Sequence, residues 1–464
     1  MNMVMLSTDY LIYLLVIISV ALVIRAHKKD QLLPFMRKIF YRPLNLCAGI
    51  ILAVYIIIGL LDTVHFKPTQ YNEQQNGTII SLLDKMLKPI SIQSERTFSA
   101  PFAIYAFTKE SMTLPSGEVV RTYPRLTYAG KHLKSENDQP QDLKNRFIVI
   151  AYQTVILWAA LSILILMYAC AKHRISFETM FGAVIMGKTV FPWRTLLLTL
   201  MAIIFIFVSI KSLIPFYHIL GTSQVGEDVL YQSLKSIRTG LVIGTVTTLV
   251  MLPFAVIFGI MAGFFRGWVD DVIQYVYTTL SSIPGVLLIA AAVLTLQLVM
   301  DRHADWFVTA LHRSDIRLLA LCGILGITSW TGLCRLLRGE TLKISEMDYV
   351  KAAHSLGVGD FKIIFKHFLP NVTHIILITL TLDFSGLVLA EAVLSYVGVG
   401  VDPSSYSWGT MINSARLEMA RVPVVWWSLT AAFVFMFTLV LAANIFSDAV
   451  RDAFDPHSER RGAS

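Results

Sequence analysis

The hydrophobic positions of this chain are gathered in long blocks, and most polar residues lie in the segments between them. A transmembrane helix needs about 20 mostly apolar residues, and nine blocks approach or exceed that length. The pattern therefore predicts nine transmembrane helices. They lie at Tyr10–Ile24, Leu44–Leu61, Phe147–Ala171, Thr195–Ile214, Thr239–Phe264, Val272–Met300, Leu318–Leu333, Thr373–Leu394 and Val424–Phe446.

The composition agrees with an all-α membrane protein built as a polytopic helical bundle. Hydrophobic residues make up 55% of the 464 residues and charged residues 15%, and the mean hydropathy is +0.63. Soluble domains carry roughly 25% charged residues, so a large soluble enzyme and a disordered chain are both excluded. The net charge of +8 is typical of cytoplasmic loops in membrane proteins. The basic residues form no dense run with aromatics, so no nucleic-acid partner is predicted.

The basic residues also predict the orientation in the bilayer. They concentrate in alternate loops, at 28–42, 172–194 and 335–366, and again in the C-terminal tail. Such loops face the cytoplasm, so we expect the N-terminus outside the cell and the C-terminus in the cytoplasm. Eight basic residues depart from this pattern and can reach the interface by snorkelling. They are Lys211, Lys235, Arg238, Arg302, Arg313, Arg317, Arg416 and Arg421.

One long polar segment, 62–146, separates the second and third predicted helices and falls outside the membrane in this topology. Its mixed pattern predicts a small α+β insertion. The predicted elements are a short helix at Ile79–Leu87, strands at Phe102–Phe107 and Val119–Tyr128, a turn at Pro115–Gly117 and a loop at Ser135–Gln141. Asn76–Thr78 also matches a glycosylation sequon, which we expect to be unused in a bacterial protein.

The sequence predicts no catalytic residue, cofactor or metal site on this chain. Its four cysteines lie in or beside apolar blocks without zinc-ligand spacing, and no disulfide framework is indicated. Gly182–Thr189 does match the phosphate-binding pattern G-x-x-x-x-G-K-T. That pattern works only between a buried strand and a helix, whereas here it lies in a short loop between two spans. We therefore interpret it as an interfacial helix whose Lys188 marks the cytoplasmic side.

The most informative loop is Arg335–Asn371. Its pattern predicts a helix leaving the membrane, a second short amphipathic helix at Tyr349–Leu356, and renewed helical periodicity at Phe361–Phe368. Gly357 suits a left-handed helix cap, and the Leu-Pro pair after Phe368 is expected to stop the helix before the next span. Together these elements predict a cytoplasmic helix–turn–helix. It is either an ordinary connector or a docking element for a partner protein.

The spacing within this loop resembles the EAA loop of ABC-importer permeases, whose pattern is E-A-A-x3-G-x9-I-x-L-P. The Ala-Ala, Gly and Leu-Pro elements are present, while Lys351 replaces the leading Glu and His367 replaces the Ile. In that family the loop inserts into a groove of the ATPase subunit. The resemblance thus implies an ATPase-coupling role for loop 348–370. The matching residues are Lys351, Ala352, Ala353, Gly357, His367, Leu369 and Pro370.

Further motifs, in order along the chain, resemble the "C"-type permeases of dipeptide and oligopeptide importers. They are Gly221–Leu230, Gly263–Asp270, Trp330–Val350, Glu391–Gly400 with Ser407–Gly409, and Asp448–Pro456. The resemblance implies a six-helix type I permease core formed by helices four to nine. It also implies a second permease subunit, two ATP-binding subunits, a periplasmic solute-binding protein and a peptide substrate. The exact cargo, including dipeptides, oligopeptides, antimicrobial peptides and nickel complexes, stays open.

Together these patterns give a provisional division of the chain. The predicted parts are additional membrane helices at 1–61, the periplasmic insertion at 62–146, a third span with a cytoplasmic loop at 147–194, the first core span with a periplasmic segment at 195–236, the permease domain at 237–448 and a cytoplasmic tail at 449–464.

Features inside the predicted membrane helices point to a packed bundle. Gly259 and Gly263 form a G-x-x-x-G pair that permits close helix contact, while Pro253 and Pro284 interrupt long apolar runs. Asp383 and Glu391 lie in the eighth helix. Acids in membrane helices line a pathway or form internal hydrogen bonds, and the sequence leaves both roles open.

Two rival functions remain at this stage. An ion-coupled secondary transporter acting alone would need inverted repeats, and no clear repeat is present. A membrane-embedded enzyme would need a nucleophile and a base in segment 62–146, where His65 and His132 are available.

Overall fold

A computed structural model of the protein describes residues 2–28, 32–67, 79–113, 119–174, 176–307 and 309–454. The sequon Asn76–Thr78, the turn Pro115–Gly117 and the Asp455–Pro456 end of the last motif lie outside these residues. The chain divides into two units. Unit 1 comprises Met1–Val4, Leu33–Ile237 and Ser414–Ala442, and unit 2 comprises Met5–Leu32, Arg238–Asn413 and Ala443–Ser464.

Helices dominate both units. They are α1 (Ser7–Lys28), α2 (Leu32–Phe40), α3 (Pro43–Thr63), α4 (Leu82–Met86), α5 (Lys88–Ile92), α6 (Gln139–His173), α7 (Phe177–Met186), α8 (Trp193–Leu213), α9 (Val229–Phe265), α10 (Gly267–Ser282), α11 (Gly285–Arg302), α12 (Ala310–Ser329), α13 (Thr331–Ser345), α14 (Asp348–Ser355), α15 (Asp360–Ile363), α16 (Leu369–Val397), α17 (Trp408–Glu418) and α18 (Trp427–Phe454). The strands are β1 (Asn2–Val4), β2 (His65–Lys67), β3 (Ile80–Ser81), β4 (Glu110–Thr113) and β5 (Val119–Thr122).

The described residues contain nine helical stretches that are long and apolar enough to cross a membrane, which confirms the predicted number. They are Ser7–Arg25, Pro43–Thr63, Glu136–Lys172, Trp193–Leu213, Val229–Phe265, Gly285–Arg302, Ala310–Ser345, Asp360–Val397 and Trp427–Ala453.

The sixth predicted helix is wrong in its extent. The apolar run Val272–Met300 is two helices, α10 and α11, separated at Ile283 and Pro284, and only α11 qualifies as a span. Pro284 directly precedes the first residue of α11, where a missing N–H costs nothing. Pro253, in contrast, lies inside the continuous helix α9, so a proline alone does not decide where an apolar run breaks.

The insertion is a small α+β segment, as predicted, but its strands differ. β1, β2 and β3 form one antiparallel sheet, with Met3 opposite Phe66, and β4 pairs with β5 in a hairpin. The predicted strand Phe102–Phe107 is wrong, because only Tyr105 makes a single bridge there, to Arg125. The strand that pairs with β5 is instead β4, in which polar residues hide the alternating pattern of a strand. The predicted helix at Ile79–Leu87 forms only from Leu82, capped by Ser81.

The predicted loop Ser135–Gln141 is also wrong. A 3₁₀ turn covers Glu136–Asp138, and α6 begins at Gln139 and runs without a break to His173. Pro140 lies in the first turn of α6, where proline is well tolerated. The polar start of α6 is therefore helical although it carries no hydrophobic periodicity.

In unit 1 the insertion is fixed by the segment that precedes α9. Gly221 and Gly226 have φ of +73° and +77°, and a Cβ at Gly226 would lie 1.8 Å from the carbonyl oxygen of Glu95. The Trp427 indole, 2% exposed, donates a 2.9 Å hydrogen bond to the Thr222 carbonyl. The two glycines of the Gly221–Leu230 motif are thus needed for close backbone approach.

In unit 2 the G-x-x-x-G pair packs as predicted. A Cβ at Gly259 would lie 2.7 Å from Leu337 Cβ, and one at Gly263 would lie 2.6 Å from Thr341 Cβ. The backbones of α9 and α13 therefore touch along one face, and the surrounding core includes Met251 and Cys334.

Candidate coupling loop and membrane acids

The candidate coupling loop runs from the end of α13 to the start of α16. As predicted, a short helix forms there, α14, and Gly357 ends it in the left-handed conformation with φ of +73°. The Gly357 and Val358 N–H groups donate to the carbonyls of His354 and Ala353, at 3.0 and 3.1 Å. These bonds satisfy carbonyls that the helix end would otherwise leave free.

The expected helix stop at Leu369-Pro370 is wrong. Helical structure continues from Asp360 through a π-helical turn at Ile364–Phe368 directly into α16. A proline ring clashes with the carbonyl four residues earlier in a regular α-helix. The wider π turn shifts that carbonyl and allows the chain to continue. Pro370 itself occupies the first turn of α16.

The inner side of this loop is fixed in the core of unit 2. Val350, Ile363 and Phe368 are 2%, 0% and 0% exposed. The Phe264 ring at the end of α9 lies edge-on to Phe368 at 5.3 Å between centroids and parallel to His354 at 5.9 Å. The loop is thus held by aromatic packing against the end of α9.

The outer side of the loop exposes three large apolar side chains. Leu356, Phe361 and Phe365 are 82%, 80% and 66% exposed. Phe361 and Phe365 are four residues apart and lie on one helix face. Exposed apolar surface of this kind marks interaction sites. These residues did not emerge from the motif, although the i, i+4 pair of phenylalanines in a polar loop is a visible signal.

The predicted loop residues divide between the two sides. Ala352 and Pro370 are exposed, whereas Ala353 and Leu369 are half-buried against the core. His367 is half-buried, with its ring 5.6 Å from that of Tyr349.

Lys351, at the position of the family's glutamate, forms an ion pair within the chain. Its Nζ lies 2.9 Å from Glu346, whose other oxygen accepts a 2.5 Å bond from Arg266. Hydrogen bonds from Arg266 and Lys351 lower the pKa of Glu346 to about 2. All three groups are about half exposed or more. These ion pairs therefore orient the loop more than they stabilise the fold.

A stronger contact supports the same end of unit 2. The Arg338 guanidinium donates two parallel hydrogen bonds to the Asp270 carboxylate, at 2.5 and 2.7 Å. Hydrogen bonds from Arg338 lower the pKa of Asp270. The bidentate geometry fixes α10 against α13.

Glu391 is enclosed by the chain. It is 2% exposed and accepts a 2.6 Å hydrogen bond from Ser395. Gly409 is forced to be small, since a Cβ there would lie 2.5 Å from Ser395 Cβ and 3.1 Å from the Glu391 carboxylate. Trp408 in turn fills the space beside Gly240. The Glu391–Gly400 and Ser407–Gly409 motifs therefore meet in one packed cluster.

Asp383 has a different environment. It lies two turns before Glu391 on α16 and is half-buried. Among the described residues, no side chain or backbone group forms a recorded hydrogen bond or ion pair with it. Of the two predicted pathway acids, Asp383 is the one without a hydrogen-bonding partner among the described residues.

The comparisons with known proteins cover this region. Residues 255–460 match the model of the family described as binding-protein-dependent transport system inner membrane component. The oligopeptide transport system permease protein OppC of Mycobacterium tuberculosis is 31% identical over 247 residues, covering 53% of this chain and 78% of the relative.

The glutathione transport system permease protein GsiD of Pectobacterium atrosepticum is 31% identical over 241 residues, covering 52% of this chain and 72% of the relative. The dipeptide transport system permease protein DppC of Bacillus subtilis is 29% identical over 247 residues, covering 52% and 70%. The chain belongs to the family of binding-protein-dependent transport system inner membrane components.

Membership confirms the resemblance found in the motifs and the architecture of a multi-pass helical permease. The family match contains the candidate coupling loop, Asp383 and Glu391, while residues 1–254 lie outside it. The named relatives are transport permeases rather than enzymes. In this family member the two histidines considered for catalysis have separate partners, since His65 contacts the Thr63 carbonyl at 3.1 Å and His132 contacts Asp142 at 2.9 Å.

Proposed function

We propose that this chain is one permease subunit of an ATP-driven importer of peptides in a bacterial inner membrane. It forms the translocation path with a second permease subunit, receives cargo from a periplasmic solute-binding protein, and contacts two ATPase subunits through loop 348–370. The names of the relatives support the peptide class of cargo. The loop supports the coupling role.

The observation that carries the coupling role is the two-sided construction of the loop. Val350, Ile363 and Phe368 fix its inner side in the core, while Leu356, Phe361 and Phe365 remain exposed. A rigid element with an unburied apolar surface can transmit a displacement from a bound partner to α9, α13 and α16. ATP binding by the partner then biases the inward- and outward-facing states through differential affinity.

The topology, the domain division and the pathway are part of the same proposal. Residues 237–448 form the permease domain, with the N-terminus and insertion 62–146 outside and the tail from 449 in the cytoplasm. The pairing of β1 with β2 supports a common side for the N-terminus and the insertion. Asp383, rather than the enclosed Glu391, faces the path.

The coupling role is tested by Leu356→Asp in the full chain co-expressed with its ATPase subunits. A lost apolar contact at the centre of an interface costs about 2 kcal/mol or more, so we expect roughly thirtyfold weaker association and loss of uptake. Leu417→Asp is the matched control, because Leu417 is also exposed, at 69%, and lies on the opposite side in the proposed topology. Equal association of both variants would overturn the proposal.

A further inference from the structure

A cavity of about 510 Å³ lies in unit 1, outside the family match, where α6 ends and α8 begins. Its size is in the range of small-molecule sites. The wall comes from the last turn of α6, from α7, from the segment before α8 and from one residue after α2. The lining includes Tyr41, Lys172, Ala183, Lys188, Phe191 and Trp193.

The helix that covers the cavity, α7, has two apolar faces. One face buries Met180 and Val184 in a cluster with Leu166 and Leu197 of the flanking spans. The other face exposes Phe177 and Phe181, whose rings stack at 5.9 Å, together with Ile185 and Met186. A short helix that exposes apolar residues between two membrane spans lies at the membrane interface.

The lining combines aromatic rings with two cations. The Phe191 ring contacts Trp193 at 4.8 Å and Tyr41 at 5.8 Å. Lys172 and Lys188 are also among the lining residues, and within the described part of the chain neither forms an ion pair. The cavity is therefore apolar inside and positively charged, which suits an amphiphile with an anionic head.

The G-x-x-x-x-G-K-T match contributes to this cavity, but not as a nucleotide loop. Gly182 lies inside α7, and the N–H groups of Gly187 and Lys188 are used to end that helix, donating to Val184 and Ala183. The Thr189 hydroxyl donates to the Phe191 carbonyl at 2.8 Å. The N–H groups of Gly187 and Lys188 are therefore not available to cradle a triphosphate, and the motif's contribution to the cavity is the Lys188 side chain.

We propose that this cavity binds one anionic phospholipid, with an acyl chain against the aromatic wall and the phosphate at Lys172 and Lys188. Basic pockets between membrane helices bind lipid headgroups in this way. The aromatic wall favours a lipid over a free phosphate, since inorganic phosphate has nothing to gain from Tyr41, Phe191 or Trp193. The site is independent of the proposed coupling loop, which lies in unit 2.

The test is lipid binding by the purified full chain in detergent, measured by native mass spectrometry with added phosphatidylglycerol or phosphatidylcholine. We expect preferential retention of phosphatidylglycerol. Each lysine near an anionic lipid contributes about fivefold in affinity, so Lys172→Gln with Lys188→Gln should weaken binding by roughly 25-fold. Ala183→Phe, which fills the cavity without changing charge, should abolish binding of the acyl chain.

Lys144→Gln with Lys211→Gln is the matched control, because neither residue lines the cavity, and it should leave retention unchanged. Equal retention of the two lipids, or unchanged retention in the Lys172/Lys188 and Ala183 variants, would overturn the assignment. Displacement of the lipid by millimolar inorganic phosphate or ATP would also overturn it, because the site would then recognise a phosphate group alone. Size-exclusion profiles identify a variant that fails to fold.

Discussion

His218 Nε2 lies 3.5 Å from Glu95 Oε1 and joins the segment before α9 to the insertion. The other ring nitrogen of His218 lies 2.7 Å from Asp228, and all three side chains are at most 4% exposed. Burial lowers the pKa of His218, but the hydrogen bond to Asp228 and the ion pair with Glu95 outweigh it and raise the pKa to about 9. Burial raises the pKa of Glu95, but the ion pair with His218 and hydrogen bonds from three backbone N–H groups lower it to about 2.

This contact predicts a specific pH dependence of stability. The His218 pKa is raised from 6.5, so its contribution is complete below pH 6.5 and lost as the pH rises through 9. The Glu95 pKa is lowered from 4.5, so its contribution is complete above pH 4.5 and lost as the pH falls towards 2. The unfolding temperature should therefore decrease as the pH rises from 6.5 to 9.

The change that isolates this contribution is His218→Gln, read by thermal unfolding in detergent at several pH values. Breaking a buried ion pair costs about 3–5 kcal/mol, and the variant should lose most of the slope between pH 6.5 and 9. His303→Gln, at an exposed histidine, should keep the slope. A wild-type midpoint that is flat across this range would contradict the assignment.

Some parts of the topology could be predicted from the sequence and others could not. Hydrophobic block length identified nine spans, because a bilayer sets helix length directly. Two of the outlying basic residues, Lys235 and Arg238, could not be explained from the loop pattern, because their partners are distant in the sequence. Lys235 Nζ lies 2.7 Å from Asp62, and Arg238 lies 2.7 Å from Asp9. These carboxylates neutralise cations that the loop pattern alone leaves unexplained.

The candidate site divides in a similar way. Spacing alone located the loop. It also located the left-handed Gly357, because few residue types other than glycine adopt that conformation. It did not reveal the π turn before Pro370, because the turn resolves a clash with no sequence signature of its own. It also did not separate Asp383 from Glu391, because satisfaction of Glu391 depends on Ser395 and on the approach of Gly409.

Gly357 provides a conformational prediction. A Cβ there would meet no other atom within 4 Å, and φ is +73°, so a substitution is opposed by the backbone and not by crowding. Gly357→Val should cost about 1–3 kcal/mol locally and reduce uptake and ATPase association. Gly357→Asn, which tolerates the left-handed conformation, should retain both. If valine and asparagine behave alike in a pull-down and uptake assay, the left-handed cap is not what the loop requires.

The contact between α9 and α13 provides a packing prediction. Gly263→Ala would place a methyl group 2.6 Å from Thr341 Cβ and 2.8 Å from the Arg338 carbonyl. Overpacking of this kind costs about 1–3 kcal/mol, so the unfolding midpoint should fall. Gly339→Ala is the control, because a Cβ there meets nothing within 4 Å and alanine favours helix. A Gly263 variant as stable as the Gly339 variant would show that the two helices are not in backbone contact.

Asp383 and Glu391 provide the test of the pathway. Asp383 has no recorded partner among the described residues, so Asp383→Asn should leave assembly intact but weaken its contact with cargo or with the second permease. An intramembrane polar interaction of about 1–2 kcal/mol corresponds to roughly tenfold slower uptake. Glu391→Gln keeps an acceptor for Ser395 within the packed cluster, so uptake should persist.

Radiolabelled peptide uptake in reconstituted vesicles measures both variants at equal protein content. Reduced uptake in Glu391→Gln with normal uptake in Asp383→Asn would reverse the assignment of the two acids, placing the path beside the Ser407–Gly409 segment.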